Sequence, residues 1–131
     1  MRYAAIDVGL KRIGLALSPD KKVVLPQKAI IRKNRNQAAR DVSNFLKEWN
    51  VKELIVGIPM GESSQEEMEK RIKHFISLLE LDGIKVHYID EGNSSNEAKE
   101  EIKGVIKFKK DGRVDSLAAK IILERWINEN S

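Results

Sequence analysis

Apolar runs broken by turn residues fill the first 31 positions, and a longer rhythm follows. Residues 2–8, 12–18 and 23–31 are rich in Val, Ile, Leu and Ala, with turn signals at Gly9 and at Ser18-Pro19-Asp20, so they predict a three-stranded meander. Pro26 cannot donate to a ladder, which makes the third run an edge or bulged strand. Ala38, Val42, Phe45, Leu46 and Trp49 then draw one apolar stripe at helical spacing. Glu53-Leu54-Ile55-Val56-Gly57 is a short strand apolar enough for the sheet centre, and it ends at the turn Gly57-Ile58-Pro59. From Ser64 to Leu81, Met68, Ile72, Phe75, Ile76 and Leu79 form a second stripe, and Ser63 or Ser64 with Glu66 or Glu67 has the spacing of a capping box. Ile84, Val86 and Tyr88 alternate as a fifth strand that terminates at Ile89-Asp90-Glu91-Gly92. Ser94 with Glu97 caps a short helix through about Ile102. A last helix, from about Arg113 to Asn128, buries Val114, Leu117, Ala118, Ile121, Ile122 and Trp126. The order predicts an α/β fold: a mixed five-stranded sheet with antiparallel strands 1–3, then alternating helices and strands, flanked by helices.

Composition narrows the class. At 131 residues, 41% hydrophobic and 34% charged, the expectation is one domain spanning 1–131. No run approaches the roughly 18 apolar residues of a membrane span. The chain also opens on a strand pattern without a signal-peptide core, which leads us to expect a cytoplasmic protein with no membrane partner. Cysteine is absent, so disulfides, thiolate zinc sites and cysteine nucleophiles are excluded. A net charge of +4 suits a polyanionic partner without requiring one.

Candidate chemistry begins at Asp7, an acid set in an apolar strand. An ionised carboxylate there costs several kcal/mol unless compensated, and a divalent cation is the usual compensation where other acids converge. Gly9 and Gly14 are read as bracketing a short turn with little side-chain bulk, which a phosphate-bearing ligand could approach. Asp90-Glu91 stands at the end of the last strand and Asp115 in the first turn of the final helix. Sites in open α/β sheets gather outside the carboxyl ends of strands, so these acids would share one crevice with Asp7. Strand alternation sends Asp90 and Glu91 to opposite faces, and spacing alone does not choose between them. Singly, each acid also has a structural reading. Asp115 favours a helix N-terminus, and Asp90-Glu91 with Asn93, Ser94 and Ser95 could be a solvated turn.

The same stretches carry a resemblance. Ala5-Ile6-Asp7-Val8-Gly9-Leu10-Lys11-Arg12-Ile13-Gly14-Leu15-Ala16, Ile55-Val56-Gly57-Ile58-Pro59, Ile89-Asp90-Glu91 and Val114-Asp115-Ser116-Leu117-Ala118-Ala119-Lys120-Ile121-Ile122-Leu123 resemble the four signatures of the YqgF family, also called RuvX. They run in the family's order across nearly the whole chain. The resemblance implies a ribonuclease H-like fold and a nuclease that processes precursor 16S rRNA or resolves Holliday junctions. By that analogy Asp7, Glu91 and Asp115 are the catalytic carboxylates, and Glu91 is preferred to Asp90. Two departures stand out. Gly92-Asn93-Ser94 replaces the family's Arg-Leu-Thr, removing an expected cation, and Met60-Gly61-Glu62-Ser63-Ser64 replaces an Asp-Gly-Ser-like loop.

Convergence of Asp7, Glu91 and Asp115 would bring mutual repulsion that Mg²⁺ or Mn²⁺ relieves through the oxygen ligands these ions prefer. Two such ions would serve phosphodiester hydrolysis, one at the attacking water and one at the leaving oxygen. Nucleic-acid contacts are expected from Lys11 and Arg12 beside Asp7, and from Lys107, Phe108, Lys109, Lys110 and Arg113, where cations flank an aromatic able to stack on a base. Arg32, Lys33 and Arg35 form a further cluster. His74 and His87 lack a nearby partner pattern and are not read as ligands or bases, while Trp49 and Trp126 read as core. The expected partner is precursor 16S rRNA, with branched DNA as the alternative, and a resolvase cutting two strands would work as a homodimer. A nucleic-acid-binding assembly factor with weak catalysis is a second reading. An actin-like kinase is a third, which needs two such domains where 131 residues hold one.

Overall fold

Ala4, Ala5 and Ile6 are wholly buried in sequence, as a strand covered on both faces requires. They lie in β1 (Arg2–Val8), followed by β2 (Arg12–Ser18), β3 (Leu25–Ile31), α1 (Arg35–Glu48), β4 (Val51–Ile58), α2 (Glu66–Ser77), β5 (Lys85–Asp90) and α3 (Arg113–Glu129). This is a computed structural model, and it describes residues 2–9, 11–58, 66–90 and 113–130; at 66, 90 and 113–115 the backbone alone is described. The strands form one sheet in the order β3-β2-β1-β4-β5. β1, β2 and β3 are antiparallel, as the meander predicts, while β4 runs parallel to β1 and β5 parallel to β4.

Pro26 lies on the edge strand β3, where its missing N–H costs no ladder bond, and the β2–β3 register skips between Ile13 and Leu15. β3 starts at Leu25 rather than at 23. The Asp20 carboxylate accepts from the N–H groups of Lys22 and Val23, each at 2.9 Å, and Lys21 sits at φ 63°, so the turn holds these residues off the ladder.

Two apolar layers sandwich the sheet. Ala4, Ile6, Ile13, Leu15, Leu54 and Val56 pack on one face against Val42 and Leu46 of α1 and Ile72 and Phe75 of α2. On the other face Ala5, Ala16, Ile55 and Ile89 meet Ala119, Ile122, Leu123 and Trp126 of α3. Asn34 and Gln37 start α1 with a reciprocal cap: the Asn34 side chain accepts from the Gln37 N–H at 2.7 Å, and the Gln37 side chain accepts from the Asn34 N–H. Trp49 departs from the expected core role, being 37% exposed. The helix stops at Glu48, Trp49 caps it, and Asn50 takes the left-handed conformation at φ 51°, so the stripe ends one residue short of Trp49. Among the described residues, no helix is long and apolar enough to cross a membrane.

Candidate active site at the carboxyl rim of the sheet

Because β1, β4 and β5 are parallel, their carboxyl ends meet at one rim. Asp7 lies there, half-buried, directly opposite Gly14 of β2. Ala5 packs beneath α3, and period-two alternation gives Asp7 the same face. Gly14 is therefore inside β2 and not at the turn's far side, a correction to the sequence reading. As the cross-strand neighbour of Asp7, it puts no side chain against the carboxylate. The turn runs from Gly9, whose N–H donates to the Arg12 carbonyl at 3.0 Å, and a Cβ on Gly9 would sit 2.5 Å from that oxygen. Arg12, half-buried, shares a face with Gly14 and Ala16 and hence with Asp7, one diagonal step away. Lys11 is exposed, and its carbonyl accepts from the Arg32 N–H at 2.8 Å, which ties the hairpin to the end of β3.

The first turn of α3 is held beside this rim by a buried hydroxyl. Ser116 Oγ accepts from the Leu15 N–H at 3.4 Å and donates to the Gln27 carbonyl, bridging β2 and β3 where their register skips. Arg113 and Asp115 lie in that same turn. β5 ends with Asp90 paired to Ile58, and Ile89 packs on the α3 face. Glu91, Lys107, Phe108, Lys109 and Lys110 lie outside the described residues, as do the short helix from Ser94, the Gly92-Asn93-Ser94 and Met60–Ser64 departures, and the Ser63 or Ser64 cap. Among the described residues, no three His, Cys, Asp or Glu side chains form a group able to hold a metal ion. The acid described at the rim, Asp7, is a hard oxygen donor of the type Mg²⁺ and Mn²⁺ take.

Sequence reasoning missed Ser116, which stands in the fourth signature stretch without a role of its own. It also missed a partner for His87. Nε2 of His87 lies 2.9 Å from Oε1 of Glu53 on the neighbouring strand, and the ring packs 4.9 Å from that of Trp126. Trp126 in turn meets Tyr3 at 5.7 Å, and Lys21 lies over both Tyr3 and Trp126. Burial, with the Glu53 carboxylate beside it, holds the Tyr3 phenol above its ordinary range. This cluster fastens the far end of α3, at the opposite end of the strands from Asp7. Glu53 and His87 are 34 residues apart, so only the β4–β5 register reveals the pair.

The chain has relatives along its whole length. A family model named RuvX and described as Holliday junction resolvase matches residues 1–129. A protein of Sulfurovum sp. (strain NBC37-1) named "Putative pre-16S rRNA nuclease" is 62% identical over 128 residues, covering 98% of this chain and 99% of its own. One of the same name from Sulfurimonas denitrificans is 53% identical over 129 residues, covering 98% of each chain. Among solved structures, Thermus thermophilus RuvC in complex with a Holliday junction substrate superposes with a TM-score of 0.62 at 13% identity, covering 99% of this chain and 95% of its own. The Fowlpox virus resolvase bound to Holliday junction DNA gives 0.59 at 14% identity, covering 99% of each. At such identity the likeness speaks for the fold, which is the ribonuclease H-like arrangement that the sequence resemblance implies.

Proposed function

The chain belongs to the RuvX family, and from that premise we propose that it is a divalent-cation-dependent nuclease, one ribonuclease H-like domain over residues 1–131, acting on precursor 16S rRNA. The observation that carries the reading is Asp7 on the α3 face of the carboxyl rim, with the first turn of α3 docked alongside through Ser116. Asp7, Glu91 and Asp115 are assigned as the catalytic carboxylates and as ligands for Mg²⁺ or Mn²⁺. Asp115 immediately precedes the docked Ser116. Ile89, two residues before Glu91 in the chain, packs on the α3 face.

Three carboxylates fit a hard divalent cation, which when bound supplies Lewis acidity to the phosphoryl oxygens and lowers the pKa of water. The chain's own groups bind and orient. Arg12, on the face of Asp7, and Lys11 at the hairpin tip neutralise phosphates flanking the scissile bond. Lys107, Phe108, Lys109, Lys110 and Arg113 add charge and a stacking platform just ahead of Asp115.

The test compares precursor 16S rRNA with a four-way DNA junction at matched salt, with Mg²⁺, with Mn²⁺ and with chelator. Cleavage of the RNA that needs metal and disappears in Asp7→Asn, with an unchanged melting temperature, is expected. Undiminished cleavage by Asp7→Asn refutes the carboxylate assignment. Preference for the junction, with a dimer in solution, moves the substrate to branched DNA.

A further inference from the structure

On the face of the sheet turned away from α3, a hollow of about 280 Å³ opens beside the same rim. Gly9, Met68 and Ile72 line it together with three arginines, Arg32, Arg35 and Arg71, and none of the described residues lining it is acidic. Its volume lies just under the roughly 300–1,000 Å³ of pockets that enclose drug-sized ligands, so it suits a phosphate with part of a sugar. Arg32 is set in place. Its Nη1 donates to the Gly9 carbonyl at 3.0 Å, and its guanidinium lies 5.5 Å from the centroid of the buried Phe75 ring. That bond engages one of five guanidinium N–H groups, and Arg32 still lines the hollow. Arg71 pairs with Glu67 at 2.9 Å, an exposed helix pair that contributes little and yields readily to a stronger anion. Arg35, at the first position of α1, is exposed.

We propose that this hollow is a phosphate subsite that holds the sugar–phosphate backbone of the nucleic-acid substrate on the sheet face opposite the catalytic carboxylates. Guanidinium groups match phosphate oxygens through paired N–H donors, and three of them around one concavity provide a charge that a neutral or cationic ligand could not use. The apolar wall of Met68 and Ile72 accommodates a sugar. The hollow borders the same rim, since Val8 and Gly9 line it and directly follow Asp7 in the chain. A polymer crossing the β1–β2 hairpin would place one phosphate at Asp7 and a neighbour among the arginines. The identity of the polymer rests on the nuclease reading; the anion chemistry of the hollow does not.

Binding of fluorescein-labelled single-stranded RNA is measured by anisotropy across a salt series, in an Asp7→Asn background with chelator present and the RNA checked for integrity on a gel. Arg35→Gln with Arg71→Gln leaves Arg32 and its hairpin contacts untouched. The expected result is weaker binding with a salt slope shallower by about 0.7, the share of the one phosphate that the hollow no longer neutralises on a single strand. Arg71→Gln alone serves if the double variant melts early, with a smaller change in the same direction expected. An unchanged slope and Kd in a variant with an unaltered melting temperature overturn the subsite. So does saturable binding of adenosine monophosphate that is lost in the variant while RNA binding is unaffected, because the hollow would then serve free nucleotides. The two readings fail separately: a nuclease killed by Asp7→Asn but indifferent to the arginines loses only the subsite, whereas a normal slope change beside an active Asp7→Asn loses only the catalytic assignment.

Discussion

Replacing Ser116 with alanine asks how firmly one hydroxyl holds the start of α3 on the sheet. Ser116 is 1% exposed, so water cannot replace what its Oγ provides. Alanine would leave the Leu15 N–H and the Gln27 carbonyl without this partner, at a place where the β2–β3 register skips. The Leu15 bond, at 3.4 Å, is long for N–H···O and lies at the weak end. A net 0.5–1.5 kcal/mol per bond, together with the penalty for stranding buried polar groups, gives a loss of about 1–3 kcal/mol. For a chain of this size, between the reference ranges for smaller and larger domains, that lowers the melting temperature by roughly 3–12 °C. Circular dichroism melts and urea titration read the stability, and cleavage assayed well below the melting temperature reads the site. Because Asp115 adjoins Ser116, kcat should fall while KM changes little. A loss under about 0.5 kcal/mol with full cleavage would refute the docking argument. A destabilised variant with full kcat would separate packing of α3 from placement of Asp115.

Two further substitutions probe the hairpin and the following turn. Gly9→Ala puts a Cβ 2.5 Å from the Arg12 carbonyl oxygen, a backbone atom that cannot swing aside, so the turn must open at a cost of about 1–3 kcal/mol. Urea titration should report that loss alongside reduced cleavage, since Asp7 is two residues away; a stable, active variant contradicts the close approach. Asp20 accepts backbone N–H bonds from Val23 and Lys22, which hold its carboxyl below the ordinary range. A depressed folded-state pKa gives stability that is complete above the unfolded value and is lost as pH falls through the folded one. The melting-temperature gap between the native protein and Asp20→Ala should therefore be full at neutral pH and close below about pH 4. A gap that is constant with pH rules out the ionised turn acceptor.

Much of the fold was legible from periodicity. Val42 and Leu46, Ile72 and Phe75, and Ile122 and Trp126 recur at helical spacing and lie in the core as expected. Asp7 at a strand's carboxyl end and Asp115 in the first turn of a helix could also be read directly, because strand ends and helix starts leave local marks. Trp49 misled because a stripe does not announce its last turn; a cap and a left-handed Asn50 ended α1 first. Gly14 misled for a related reason. Glycine suits a turn as well as a strand position facing a carboxylate, and only the β1–β2 register distinguishes the two.

By itself the sequence determined the kinds of element, their order and the ends at which acids would stand, since all of these depend on interactions within a few residues. Tertiary structure alone decided that Asp7 and Arg12 share the α3 face, that Ser116 fills the step between β2 and β3, that His87 meets Glu53, and that Arg32, Arg35 and Arg71 surround one hollow. Asp7 and Arg12 are brought to one face by the antiparallel β1–β2 register; Ser116, His87 and Arg71 meet partners far away in the chain, through strand registers and helix packing. A pattern of apolar positions records which side of an element seeks cover but not which partner provides it.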